Sequence, residues 1–297
     1  ADDPATPGVA DYLGELAGRR VEAQGLAALE ALSGHEVALV HAPYPRRERV
    51  EISRALIGYC ERTRRSFAVI DGDPGIEGPT SLDPRMQLNS SYAAYYVPWL
   101  LVLDGATKAT RPVPPGGFVL GLYARTDIER GVYKAPANEV VRGIVGLERT
   151  ISDAEQGVLN PRAVNVIREV PGRGIRVWGA RTLSTDSEWR YVNVRRLFIF
   201  LERSIYEGTQ WVVFEPNTEP TWQAVRGEVT NFLRGEWRNG ALLGRTEHEA
   251  FFVKCDRTTM TQDDIDQGRL IIEIGVAPVR PAEFVIVRIG QRTVEAG

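Results

Sequence analysis

Residues 36–71 constrain this chain more than any other stretch. "EVALVHAP" (36–43) has a strand pattern and "FAVID" (67–71) a second one. Between them "RVEISRALIGYCERTRR" (49–65) places Val50, Ile52, Leu56, Ile57 and Cys60 near helical spacing. A helix joining two strands at this pitch predicts a parallel pair, and parallel sheets are covered by helices on both faces. The expected class is therefore mixed α/β, with a layered core.

The rest of the chain extends that reading. "GLAALEAL" (25–32) reads as a short helix, and "GDPGIEGPTSLDP" (72–84) as a loop by its Gly and Pro content. "YYVPWLLVLD" (95–104) is expected as one buried strand, "TKATRPVPPGG" (107–117) as a loop and 118–130 as a helix. A loop, a short strand and a helix stopped at Asn160-Pro161 fill 134–161. "AVNVIREV" and "IRVWGARTL" then form a hairpin about "PGRG". Val194, Leu197, Phe198, Leu201 and Ile205 define one amphipathic helix, with Arg195, Arg196, Glu202 and Arg203 off its apolar face. Trp222, Val225, Val229, Phe232 and Leu233 define another, with Asn217 or Thr218 as its cap and Pro220 in its first turn. "QWVVFEP" (210–216) is expected as a strand between them. The end is more β-like: "FFVKCD" (251–256) and "RLIIEIGV" (269–276) alternate, and a stiff "APVRP" precedes the apolar "EFVIVRIG" (283–290).

Composition removes several function classes. The 36 Lys+Arg are offset by 39 Asp+Glu, so no global positive field favours nucleic acid. Cys60 and Cys255 are the only cysteines, which leaves no disulfide framework or thiolate zinc set and predicts two buried free thiols. The longest apolar run, "YVPWLLVL" (96–103), falls far short of the roughly 20 residues that span a bilayer. The opening "ADDPATPGVADYLG" reads as an interior linker, with the expectation that sequence precedes it.

Chemistry-bearing motifs are scarce. His35, His41 and His248 stand apart, without metal-ligand spacing, and "GRGIRVWG" (172–179) continues as a strand rather than opening a helix on its glycines. No catalytic residue, cofactor or metal ligand is assigned. The best place for a site is "DGDPG" (71–75), at the C-terminal end of a strand, where Asp71 and Asp73 either hold a ligand or build a turn. The stretch 173–196 concentrates two tryptophans and six arginines, interleaved with Asp186 and Glu188. Arg173, Arg176, Arg181, Arg190, Arg195 and Arg196 are candidates for contacts to neighbouring subunits, or for ion pairs within one subunit.

Long consecutive stretches resemble one family, the contractile tail sheath proteins of phages and phage-like injection systems. They are 125–139 ("RTDIERGVYKAPANE"), 146–168, 172–205, "GTQWVVFEPN" (208–217), "EWRNGALLG" (236–244) and 249–289. Residues 36–43, 59–71 and 93–102 match more loosely. The resemblance implies a non-enzymatic subunit that forms six-membered rings stacked around an inner tube. Its implied partners are identical subunits, the tube, and baseplate and cap proteins, without nucleic acid or membrane insertion. It also implies contraction on triggering; since no charged-then-apolar signal segment opens the sequence, assembly is expected in the cytoplasm. Nothing in the sequence corresponds to the family's N-terminal arm and first strand.

The implied organisation is a linker or remnant of a missing N-terminal region (1–24), an α/β sheath domain (25–184) and a C-terminal sheath domain (185–297). Glu283, Phe284, Val285, Ile286, Val287, Arg288 and Ile289 form either the last strand of the subunit's own sheet or a strand donated to a neighbour; a donated arm beginning at Gln291 is the variant. A non-contracting ring relative, and an α/β ligand-binding protein or enzyme at 71–75, are the competing readings.

Overall fold

The computed structural model describes residues 9–14, 24–31, 37–43, 48–76, 78 and 81–284. In chain order the helices are α1 (Val9–Leu13), α2 (Gly25–Ala31), α3 (Arg49–Thr63), α4 (Gly116–Arg130), α5 (Asp153–Leu159), α6 (Val192–Gly208), α7 (Glu219–Arg238), α8 (Glu247–Ala250) and α9 (Gln262–Asp266). The strands are β1 (Leu39–Val40), β2 (Phe67–Asp71), β3 (Ala93–Val97), β4 (Leu100–Leu103), β5 (Thr110–Val113), β6 (Glu139–Val140), β7 (Gly146–Leu147), β8 (Val164–Val170), β9 (Gly174–Val177), β10 (Phe251–Lys254) and β11 (Glu273–Val276). Within the 1–24 segment, α1 is helical and packs on α2 and α3.

The central sheet has the order β1-β2-β3-β8-β9-β6. Its first four strands are mutually parallel; β9 runs antiparallel to β8, and β6, antiparallel to β9, returns to the direction of the first four. Side chains alternate across a strand, so each strand feeds two cores. Ala68 and Ile70, with Tyr95 and Val166, face α3 and α5. Phe67 and Val69, with Tyr96 and Ile167, face α4 and α6. With both faces covered, β2 and β3 are buried at every position, as the parallel-sheet reading requires. The result is a three-layer mixed α/β body, the class expected from the sequence.

A third core joins α6 to α7, β10 and β11 through Leu197, Leu201, Val225, Val229, Leu233 and Phe251. Helix α6 therefore packs on two sides: Val192 and Ile199 belong to the sheet, Leu197 and Leu201 to α7. That two-sided packing changes the reading of the helix: Arg195 and Arg196, placed off the apolar face, are only 7% and 6% exposed.

Three local expectations are corrected. The run 95–104 is two strands in different sheets, divided at Pro98, which has no N–H to continue the β3 ladder. The expected loop 107–117 contains β5, because the Asp104 carboxylate accepts the Ala106 and Thr107 N–H groups and closes a hairpin between β4 and β5. Residues 210–216 are a 3-10 turn and loop: Gln210–Val212 continue the end of α6, where the Thr209 hydroxyl donates to the Ile205 carbonyl. This segment leaves Trp211, Val213 and Phe214 exposed, Phe214 completely and at a φ of 72°.

The smaller sheets are β5-β4-β7 and the antiparallel hairpin β10-β11. Among the described residues β10 and β11 pair only with each other along Phe251–Lys254 and Glu273–Val276. Cys60 and Cys255 are buried free thiols.

Candidate assembly surface and the Asp71 loop

The arginine-rich stretch begins with a hairpin. Beyond Val177 the ladder gives way to Asn165, whose side-chain oxygen accepts the Arg181 N–H at 2.7 Å while its amide donates to the Arg181 carbonyl at 2.8 Å. Gly179 permits this approach, since a Cβ there would lie 2.8 Å from the Asn165 Oδ1. The exchange holds 179–182 against β8 and aims the Arg181 side chain along the body.

The six arginines fall into different environments. Arg196 donates to both oxygens of Asp127, at 2.9 and 2.5 Å, with its guanidinium over the Tyr123 ring. Arg195 lies between the rings of Trp189 and Tyr92, 3.5 and 4.4 Å from their centroids, and bonds the Ser91 hydroxyl at 3.0 Å. Trp189 meets Phe198 edge-on, so the aromatics of the stretch anchor α6 to the body. Arg176 donates to the backbone carbonyls of Arg173 and Asn138. Arg173 and Arg190 are exposed.

Arg181 meets the C-terminal segment. Its Nε and NH2 groups donate to the two Glu283 oxygens at 2.8 and 2.6 Å, and NH1 reaches the Asn160 carbonyl at 3.2 Å. The Tyr191 hydroxyl and the Asn160 amide also donate to Glu283, at 3.1 and 3.4 Å. Burial alone would raise the Glu283 carboxyl; the hydrogen bonds and charge of Arg181, with Asn160 and Tyr191, outweigh it and hold the group below the usual Glu value. Phe284 is 72% exposed. Val285, Ile286, Val287, Arg288 and Ile289 lie outside the described residues. The fourfold tie to Glu283 was not legible in the sequence, where Asn160, Arg181 and Tyr191 stand 92 to 123 positions away.

Asp71 ends β2 beneath the start of α4 and is 3% exposed. One oxygen accepts the Gly116 N–H at 2.7 Å; the other lies 3.4 Å from His41 Nε2. His41 Nδ1 sits 3.1 Å from the Val69 carbonyl, so it carries the proton and donates. Gly116 is needed here because a Cβ would collide with the His41 ring. Burial lifts Asp71 to about 6, opposed by His41 and by the Gly116 N–H. Asp73 is committed to an ion pair with Arg49 at 2.7 Å. The Asp71 pair thus converges, as a catalytic dyad would, but in a closed interior where it fastens β1 and β2 to α4. Among the described residues no group of three or more His, Cys, Asp or Glu could hold a metal ion.

Residues 9–183 match the model of the phage tail sheath protein central domain, and 184–292 match that of the phage tail sheath C-terminal domain. The chain belongs to the phage tail sheath protein family. Among curated sheath relatives, the putative prophage major tail sheath protein of Pseudomonas aeruginosa (strain UCBPP-PA14) is 28% identical over 78% of this chain and 59% of its own length. The tail sheath protein of Escherichia phage P2 is 24% identical over 95% of this chain and 69% of its own.

Solved sheath structures are more similar. A chain from the baseplate of the anti-feeding prophage is 39% identical, with a TM-score of 0.80 over 90% of this chain and 73% of that one. A chain from the contracted-state sheath complex of PVC, an extracellular contractile injection system, is 36% identical, with a TM-score of 0.81 over 91% and 75%. In sheath terms, Arg196–Asp127 joins the C-terminal to the central domain, and Glu283 is tied back to both.

Proposed function

We propose that this chain is a structural, non-enzymatic subunit of a contractile sheath. It polymerises as stacked six-membered rings around an inner tube and contracts to drive the tube through a target envelope. The observation that carries this reading is 36% identity over nine tenths of the chain to a sheath solved in its contracted state. Identical subunits, the tube, and baseplate and cap proteins are its partners; nucleic acid is not. Assembly takes place in the cytoplasm, in a phage tail or phage-like particle. No helix among the described residues is long and apolar enough to cross a membrane. The division into two sheath domains is drawn at 184/185, one residue beyond the point where the two family matches meet.

Subunits join by strand donation in this reading. A two-stranded sheet is marginal alone and gains from a third strand, and β10-β11 supplies such a template. Residues 283–289 supply the strand, and exposed Arg173 and Arg190 orient neighbours. Arg176 and Arg181, half-buried, and Arg195 and Arg196, buried, support those contacts from within.

Negative-stain electron microscopy of the full chain across salt concentrations tests the proposal. Hollow tubes or stacked rings with a regular repeat are expected. Deleting residues 283–297 should abolish them and leave a folded monomer; tubes that survive the deletion rule out donation. Burial of Asp71, with His41 largely covered beside it, favours the sheath reading over a ligand site at that pair.

A further inference from the structure

Beyond Val276 the chain is tied to the body at two places and nearly free between them. Ala277 and Val279 donate backbone N–H groups to the Ala250 and Ala241 carbonyls, and the Asn193 amide donates to the Val279 carbonyl at 3.2 Å. Arg280 and Ala282 are then exposed, and Glu283 is held by Arg181, Tyr191 and Asn160. The first tie is made by backbone and a buried amide. The second consists entirely of side chains converging on one carboxylate, and such a contact opens without disturbing any strand or helix.

We propose that Glu283 is a releasable latch: closed, it fixes where the C-terminal segment leaves the subunit body, and open, it adds the 280–283 connector to that segment's reach. Four residues at roughly 3.3 Å each lengthen the tether by about 13 Å. Pro281 keeps the released connector extended rather than collapsed. The latch rests on the geometry of one subunit; its use in assembly, letting joined subunits separate without breaking the joint, rests on the donation reading above.

A nitroxide at F284C in the full chain reads the latch directly, since Cys60 and Cys255 are buried. The parent should give a restricted spectrum, and E283A and R181A should each shorten the label's correlation time roughly three-fold. The double variant should show no further change, because either single variant already opens the same contact. Y191F, which leaves the Arg181–Glu283 fork in place, should give a smaller effect, and far-ultraviolet circular dichroism should show every variant folded. A label equally mobile in the parent and E283A, or effects that add in the double variant, would overturn the latch. Parent-like mobility in E283A, together with tubes lost on deleting 283–297, rejects the latch and keeps donation. Tubes surviving that deletion reject donation whatever the label reports.

Discussion

Arg196 and Asp127 form a two-point ion pair between α6 and α4, at 2.9 and 2.5 Å, and so bind the C-terminal sheath domain to the central one. The arginine side chain is 7% exposed and the aspartate 22%, so solvent screens the pair little. A planar guanidinium suits this position because it forks onto the carboxylate while lying over Tyr123.

Removing either partner strands the other. Arg196→Ala or Asp127→Ala should cost about 3 kcal/mol in urea unfolding, with Arg196→Lys intermediate because it loses the fork. A loss below about 1 kcal/mol would place the pair with ordinary surface bridges instead.

Asp71 should make the protein less stable as pH rises. Its folded value of about 6 lies above the ordinary 3.8, so the native state binds more protons between those values. Stability therefore falls as pH climbs from about 4 to 6 and stays lower above. Asp71→Asn keeps an acceptor for Gly116 and a donor for His41 without the charge, so it should flatten this slope and be at least as stable at pH 7. Denaturant melts at pH 5 and pH 7 check both points; a large loss at pH 7 would mean the charge itself is required.

Glu283 carries the opposite sign. Its folded value is depressed, so its stabilisation is complete above the ordinary Glu value of 4.5 and disappears as pH falls through the lower folded value. Glu283→Gln should cost about 1–2 kcal/mol at neutral pH, the scale of hydrogen bonds to a charged group. The gap to the parent should narrow near pH 3. Melts of both proteins at the two pH values test this, and a gap that stays constant contradicts it.

Phe214 is fully exposed and sits at φ 72°, where a side chain is strained and glycine is not. Phe214→Gly should leave monomer stability within about 1 kcal/mol of the parent, as strain relief offsets the entropy of glycine. A larger loss in thermal melts would reveal packing that the subunit alone does not show.

The layered α/β body was legible because parallel strands buried on both faces need continuous apolar runs, and "FAVID" supplies one. Two helix starts are fixed locally, since Thr261 and Asp264, like Ser152 and Glu155, are three residues apart and satisfy each other's backbone, whereas Thr218, expected as a cap, makes no side-chain cap bond. Periodicity misled at 210–216, since four apolar residues in a row resemble a strand whether or not a partner exists. It misled again at Arg195 and Arg196, because a helical wheel shows one face while α6 packs on two. The Glu283 cluster draws on segments that only the finished fold brings together.

The flanks of the central sheet are β1 and β6, each two residues long, and β7 ends its own sheet just as briefly. The other outer strand, β5, carries Pro112, which has no N–H to offer a newcomer. Among the described residues only β10 and β11 present four-residue borders without a proline. Along the described strands a crowded pool of these chains has few ways to zip together wrongly: the borders still open to a stray partner belong to one hairpin, which sits apart from the main sheet.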